Sequence, residues 1–116
     1  MHVTHQFGFE AAHHLPRHPG KCRRPHGHSW TCRVTVEGPV HPDDGMAFDF
    51  LELQKIVRER ILARVEHRNL NDLLPNPTAE LTAVWIWDQL CDLPICEVRL
   101  NETDSCFVTY RGPDGP

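Results

Sequence analysis

Cys22-Arg23-Arg24-Pro25-His26-Gly27-His28-Ser29-Trp30-Thr31-Cys32-Arg33-Val34-Thr35-Val36 is the stretch from which the fold can be read. From His26 onward, His26, His28, Trp30, Cys32, Val34 and Val36 share one parity, and Ser29, Thr31, Arg33, Thr35 and Glu37 share the other. An apolar set recurring every second residue is the mark of a half-buried strand. Alternate strand side chains point the same way, so both histidines lie in parallel on the apolar face, at the strand's start. Pro25 biases Arg24 toward an extended backbone, and Gly27 leaves room for a close approach. Two parallel imidazoles make a pincer for a divalent metal, and neutral imidazole suits zinc. With nine histidines in 116 residues, His-x-His also arises by chance, so a third ligand has to be found elsewhere.

Toward the N-terminus, Val3, His5, Phe7, Phe9, Ala11 and His13 form the apolar parity of an earlier strand, residues 3–13. His13 falls on its core face and His14 on the solvent side, unless a bulge near Gly8 inverts them. One strand ends in His13 and the next begins with His26 and His28. Paired as a hairpin, they bring three imidazoles to the same end of the same face. Between them, residues 15–24 read as a loop with Arg17, Lys21, Arg23 and Arg24 as a basic cluster, which is either solvated surface or an anion-binding rim.

Beyond Val36, residues 38–45 are a turn rich in Pro, Asp and Gly. Asp49 opens a helix, with Glu52 in capping-box spacing and Leu53, Ile56, Val57, Ile61 and Val65 as its apolar stripe. Glu66 and His67 follow at its end. Thr78 caps a second helix running to about Cys91, with Leu81, Val84, Trp85 and Trp87 expected inward. Cys96, Val98, Leu100 and Glu102 share the parity of a third strand, and Cys106, Val108 and Tyr110 that of a fourth. The tail from Gly112 is expected to fray. This order predicts an α+β domain over residues 1–116, a four-stranded antiparallel sheet with two helices packed on one face. Its open edges are a reason to assemble.

The net charge of −4 and hydrophobic fraction of 40% suit one modest core and argue against nucleic acid as partner. No apolar run approaches the roughly 20 residues of a membrane span, and the N-terminus lacks the pattern of a signal peptide. Five unpaired-looking cysteines fit reduced thiols, hence a cytoplasmic location.

His13, His26 and His28 as ligands would leave a zinc ion an open fourth position, the arrangement of catalytic rather than structural sites. Cys22 keeps two readings: a fourth ligand that closes the site into a non-catalytic module, or a free thiol serving as base or nucleophile. Glu66 can orient His67 only if the helix breaks between them, since adjacent helical residues do not face each other. Glu102 on a core face needs a cationic or donor-rich partner.

Phe9-Glu10-Ala11-Ala12-His13, Cys22 with His26-Gly27-His28, Gly45-Met46 with Asp49-Phe50, Glu66-His67 with Leu70-Asn71, Pro77-Thr78-Ala79-Glu80 and Glu102-Thr103 together resemble the 6-pyruvoyltetrahydropterin synthase and 6-carboxytetrahydropterin synthase family. The segment Trp85-Ile86-Trp87-Asp88-Gln89 looks more like the bacterial carboxy branch, which acts in queuosine and other 7-deazapurine pathways. The resemblance implies a tunnelling fold assembled through strand edges into trimers that stack as hexamers. It implies Zn2+ on His13, His26 and His28, a 7,8-dihydroneopterin triphosphate substrate, Cys22 as the proton-abstracting base, and His67 with Glu66 as the proton donor and acceptor. Glu102 would clasp the pterin's amino and ring N–H groups, with Thr103, Thr78 and Glu80 nearby. The carboxy branch releases acetaldehyde and triphosphate. Two positions depart from common family usage, Glu66 for an Asp and Leu81 for the Asn of many pyruvoyl-type members.

Overall fold

The structure, a computed structural model, describes residues 1–113. Its strands are β1 (His2–His13), β2 (His26–Glu37), β3 (Arg68–Asn69), β4 (Ile95–Asn101) and β5 (Phe107–Tyr110), and its α-helices are α1 (Phe50–Val57), α2 (Ala63–Val65) and α3 (Ala79–Gln89). Among the described residues the sheet has five strands in the order β3-β1-β2-β4-β5. The expected four antiparallel strands are all present. The fifth, β3, runs parallel to β1 through Ala11↔Arg68 and Ala12↔Asn69, so the sheet is mixed. Two residues carry no periodicity, so such a strand leaves no pattern to read.

β1 and β2 pair residue for residue from His2↔Glu37 to His13↔His26, with no bulge at Gly8. The expected parity therefore holds along the hairpin except at Thr35, which is buried on the outer parity with its hydroxyl 2.8 Å from that of Thr4. Phe7, Phe9, Ala11 and His13 of β1 face Trp30, Cys32, Val34 and Val36 of β2 in one buried layer. Leu53, Ile56, Val57, Ile61, Val65, Ala83 and Ile86 of the helices join the same hydrophobic cluster, with Val98 and Leu100 of β4. Each such side chain, fully buried, contributes about 1.5–3 kcal/mol when it is a Val, Leu or Ile.

α1 starts where expected, with the Asp49 carboxylate accepting the Leu51 N–H at 2.9 Å. It runs into α2 through a π turn, Arg58–Leu62, in which the Ala63 N–H reaches back to the Arg58 carbonyl. α3 is capped by the Thr78 hydroxyl, which accepts the Leu81 N–H at 3.1 Å. Its buried face differs from expectation: Ala79, Thr82, Ala83 and Ile86 point inward, while Leu81 is exposed and Trp85 and Trp87 are half-buried. Small residues let this helix sit close to the sheet, and the larger apolar residues cover its flanks. The chain does not fray at Gly112. That residue is buried at φ +97 against the Trp87 ring, where an added Cβ would meet a ring carbon at 2.8 Å. The remainder of the expected frayed tail, 114–116, lies outside the described residues. No helix among the described residues is long and apolar enough to cross a membrane.

Candidate active site: three imidazoles at the mouth of a hairpin

The hairpin register delivers the three histidines as its parity predicts. His13 lies directly across from His26. The ring centroids stand 4.6 Å apart for His13–His26, 5.1 Å for His13–His28 and 4.8 Å for His26–His28. One ring nitrogen from each comes within 4.8 Å of the other two. Trp30 floors the group, its ring edge-on to His13 at 5.1 Å and to His28 at 5.5 Å. The indole itself is held by its N–H to the Ala11 carbonyl at 3.2 Å.

Backbone carbonyls set the ring orientations. His13 Nδ1–H donates to the Pro77 carbonyl at 2.8 Å, and His26 Nδ1–H to the Arg24 carbonyl at 2.8 Å. Each bond fixes the tautomer that leaves Nε2 with a free lone pair, the arrangement usual for metal-ligating histidines. His13 Nε2 and His28 Nε2 are buried and without a hydrogen-bond partner. Two buried nitrogens without hydrogen-bond partners are costly, and a divalent cation would satisfy both. Burial holds the His13 imidazole below its ordinary pKa and so neutral, although the Pro77 carbonyl and the Glu102 carboxylate push the other way. The donor set and geometry fit a metal. The two carbonyls leave no mark in a sequence, because any residue type could supply them.

A cavity of about 510 Å³ opens in front of this centre, and Lys21, Cys22, Arg24, His26, His28 and Glu102 help to line it. Glu102 sits just past β4 with its carboxylate 3.4 Å from His28 Nε2 and 3.9 Å from His13 Nε2. The cationic partner that its placement demanded would be a metal held by these nitrogens. The Cys22 thiol stands in a short 3-10 turn, Lys21–Arg23, and borders the cavity without joining the three nitrogens as a ligand. Of the basic cluster, Lys21, Arg23 and Arg24 rim an adjoining depression of about 630 Å³. Arg17 points away, into a groove with Trp85 and Asp88. Gly27 is not needed for close backbone approach, since an added Cβ would meet only the Ala11 carbonyl at 4.0 Å.

Glu66 and His67 stand apart from Cys22. The break that their pairing requires is present: α2 ends at Val65, Glu66 is extended, and His67 adopts φ +54. Glu66 Oε1 lies 3.3 Å from His67 Nε2 and also accepts the Glu10 N–H at 3.2 Å. His67 is largely exposed and lines a separate cavity of about 530 Å³ on the other side of Gly27 and His28, with Glu10, Ser29 and Asn69. Thr103 is engaged in the turn after β4, its hydroxyl accepting the Cys106 N–H at 3.1 Å. The Thr78 hydroxyl is spent on the cap of α3, and Glu80 is exposed on that helix. None of Thr103, Thr78 and Glu80 lines the cavity with Glu102. Asn71 is a residue that sequence reasoning did not single out for the site. Its amide accepts the His14 N–H at 2.9 Å and donates to the His14 carbonyl at 3.0 Å, clamping β1 just after His13.

A mixed sheet backed by helices, with a three-imidazole pincer opening into a polar cavity, defines a small α+β protein with an enzyme-type ligating centre. The model of the family described as 6-pyruvoyl tetrahydropterin synthase matches residues 2–113. The 6-carboxy-5,6,7,8-tetrahydropterin synthase of Synechocystis sp. is 42% identical over 120 residues, covering 96% of this chain and 93% of that protein. The 6-pyruvoyl tetrahydrobiopterin synthase of Dictyostelium discoideum is 36% identical over 101 residues, covering 80% and 75%. The solved 6-pyruvoyl tetrahydropterin synthase of Caenorhabditis elegans superposes with a TM-score of 0.88 at 27% identity, over 97% of this chain and 95% of that one. The chain belongs to the 6-pyruvoyl tetrahydropterin synthase family, and on that ground it is an enzyme, a lyase.

Proposed function

We infer that the protein is a zinc-dependent lyase that converts 7,8-dihydroneopterin triphosphate to 6-carboxy-5,6,7,8-tetrahydropterin, releasing acetaldehyde and triphosphate. One observation carries the metal: the buried Nε2 atoms of His13 and His28 lack hydrogen-bond partners within a group of three imidazoles whose ring nitrogens come within 4.8 Å of one another. The carboxy product is favoured over the 6-pyruvoyl one by the Synechocystis relative, whose likeness spans nearly both chains. Queuosine or another 7-deazapurine is the expected destination.

His13, His26 and His28 would hold zinc, which when bound supplies a Lewis acid for the substrate's side-chain oxygens. Cys22, on the wall of that cavity, takes the proton from the side-chain carbon next to those oxygens. Glu102 accepts hydrogen bonds from the pterin's amino and ring N–H groups, a two-point grip that aligns the heterocycle. Lys21, Arg23 and Arg24 offer charge to the triphosphate at the rim. His67, held by Glu66, returns a proton. Because His67 is exposed beside the edge strand β3 and outside the Cys22 cavity, it serves the cavity of a neighbouring copy. A homo-oligomer joined through sheet edges, a hexamer built as a dimer of trimers, provides that neighbour. The longer Glu66 side chain still reaches His67 because it also rests on the Glu10 N–H.

The test is incubation with 7,8-dihydroneopterin triphosphate, with and without chelator, followed by product identification. Acetaldehyde that disappears with chelator is the expected result. A 6-pyruvoyl product would move the protein to the pyruvoyl type, and turnover indifferent to chelation would sink the zinc reading.

A further inference from the structure

We propose that His2, Glu37 and Cys96 form a second divalent-metal site, of the zinc and cobalt class, at the opposite end of the hairpin from the three-histidine centre. The two ends of β1 are separated by roughly 35 Å at strand rise. His2 and Glu37 are register partners on the outer face of the sheet, and His2 Nε2 lies 3.0 Å from Glu37 Oε2. One donor atom from each of His2, Glu37 and Cys96 comes within 4.8 Å of the other two.

Cys96 reaches this face through an irregularity of backbone. Its sequence parity groups it with Val98 and Leu100, which point into the core. The β2–β4 register, however, passes from Thr35↔Glu97 to Val36↔Ile95, so Cys96 is the extra residue of a bulge. Bulges re-aim side chains, and they are over-represented next to functional sites. Here the bulge turns the thiol toward the Thr35 carbonyl at 3.5 Å, beside Glu37. The Glu37 carboxylate beside the thiol supplies a second anionic donor, while the neighbouring Glu97 is taken up by Arg111 at 3.1 Å. When a metal binds, the S–H proton passes to solvent and the thiolate becomes a ligand. Imidazole nitrogen, carboxylate oxygen and thiolate sulfur together select zinc-like ions over magnesium or calcium. Nothing in the proposed chemistry uses these three residues.

Titration of Co2+ into metal-free Cys22→Ser protein, followed by near-ultraviolet absorption, tests the assignment. The expected result is a thiolate-to-cobalt band accompanying a second equivalent of bound metal. Adding Cys96→Ser removes both the band and that equivalent. His2→Ala, at an exposed position, shifts the midpoint of the band at least tenfold to higher cobalt. His28→Ala, which breaks the other centre, leaves the band in place. A Cys22→Ser protein without the band, or a band that survives Cys96→Ser, overturns the proposal and reduces His2 and Glu37 to a surface ion pair.

Discussion

The hairpin of β1 and β2 carries a histidine opposite a polar partner at each end, His13 across from His26 and His2 across from Glu37. The two rungs differ in which way the pleat points. His13 faces the core and its side chain is 0% exposed, whereas His2 faces outward and is 66% exposed. At the inward end the rings rest on Trp30 and are aimed by carbonyls from two other segments, Arg24 and Pro77. At the outward end the imidazole is held by its partner alone. A histidine on the same strand thus belongs to a preorganised group in one place and is an adaptable surface group in the other. Enclosure, more than ligand identity, makes the difference, because reorganisation during a reaction is avoided only where the surroundings hold the groups still.

The sharpest way to break this contrast is through turnover. Cys22→Ala at the inward end should lower the rate on the order of 10²–10⁴-fold, the usual worth of a positioned base, with zinc content unchanged by metal analysis. Cys96→Ser at the outward end should leave the rate within about twofold. Equal losses would mean that the two ends are not separate.

Stability offers the next comparison. Trp30→Ala removes the floor of the inward end and should cost about 3–5 kcal/mol in urea unfolding. His2→Ala should stay within about 0.5 kcal/mol, as exposed substitutions do. A smaller effect is expected from Asn71→Ala, which leaves the His14 N–H and carbonyl without their clamp. It should cost about 1–3 kcal/mol and weaken zinc binding in a competition titration.

The smallest effect concerns the inward imidazoles of β1 in metal-free protein. Burial lowers the pKa of both His5 and His13 below the ordinary value of 6.5. The unfolded chain therefore binds protons that the folded chain refuses, and stability is complete above that value and declines as pH drops below it. Unfolding midpoints should fall between pH 7 and pH 5, and saturating zinc should steepen the decline, because imidazoles holding a metal refuse protons that the unfolded chain takes up.

Much of this was legible in the sequence because strand parity carries so much of it. The inward set from Val3 to His13 and the set from His26 to Val36 bring three imidazoles together without reference to any other part of the molecule. Helix caps at Asp49 and Thr78 were legible for the same local reason. What escaped lay where geometry departs from period. β3 is two residues long, and the bulge at Cys96 cancels a parity that the residues themselves suggest. The buried face of α3 is drawn by Ala79, Thr82 and Ala83, small residues that a search for large apolar ones passes over. The carbonyls of Arg24 and Pro77 orient the His26 and His13 rings with atoms that every residue possesses.

The π turn at Arg58–Leu62 has a consequence for the whole chain that follows it. A regular helix advances about 100° per residue, and the wide turn admits one residue more than a regular turn would hold. It acts as a phase adjuster, so that Val65 arrives buried and the chain leaves at the azimuth where Glu66 meets the Glu10 N–H. Removing one residue from that turn would preserve the composition of the helix while delivering Glu66 and His67 about a quarter-turn out of step with β1.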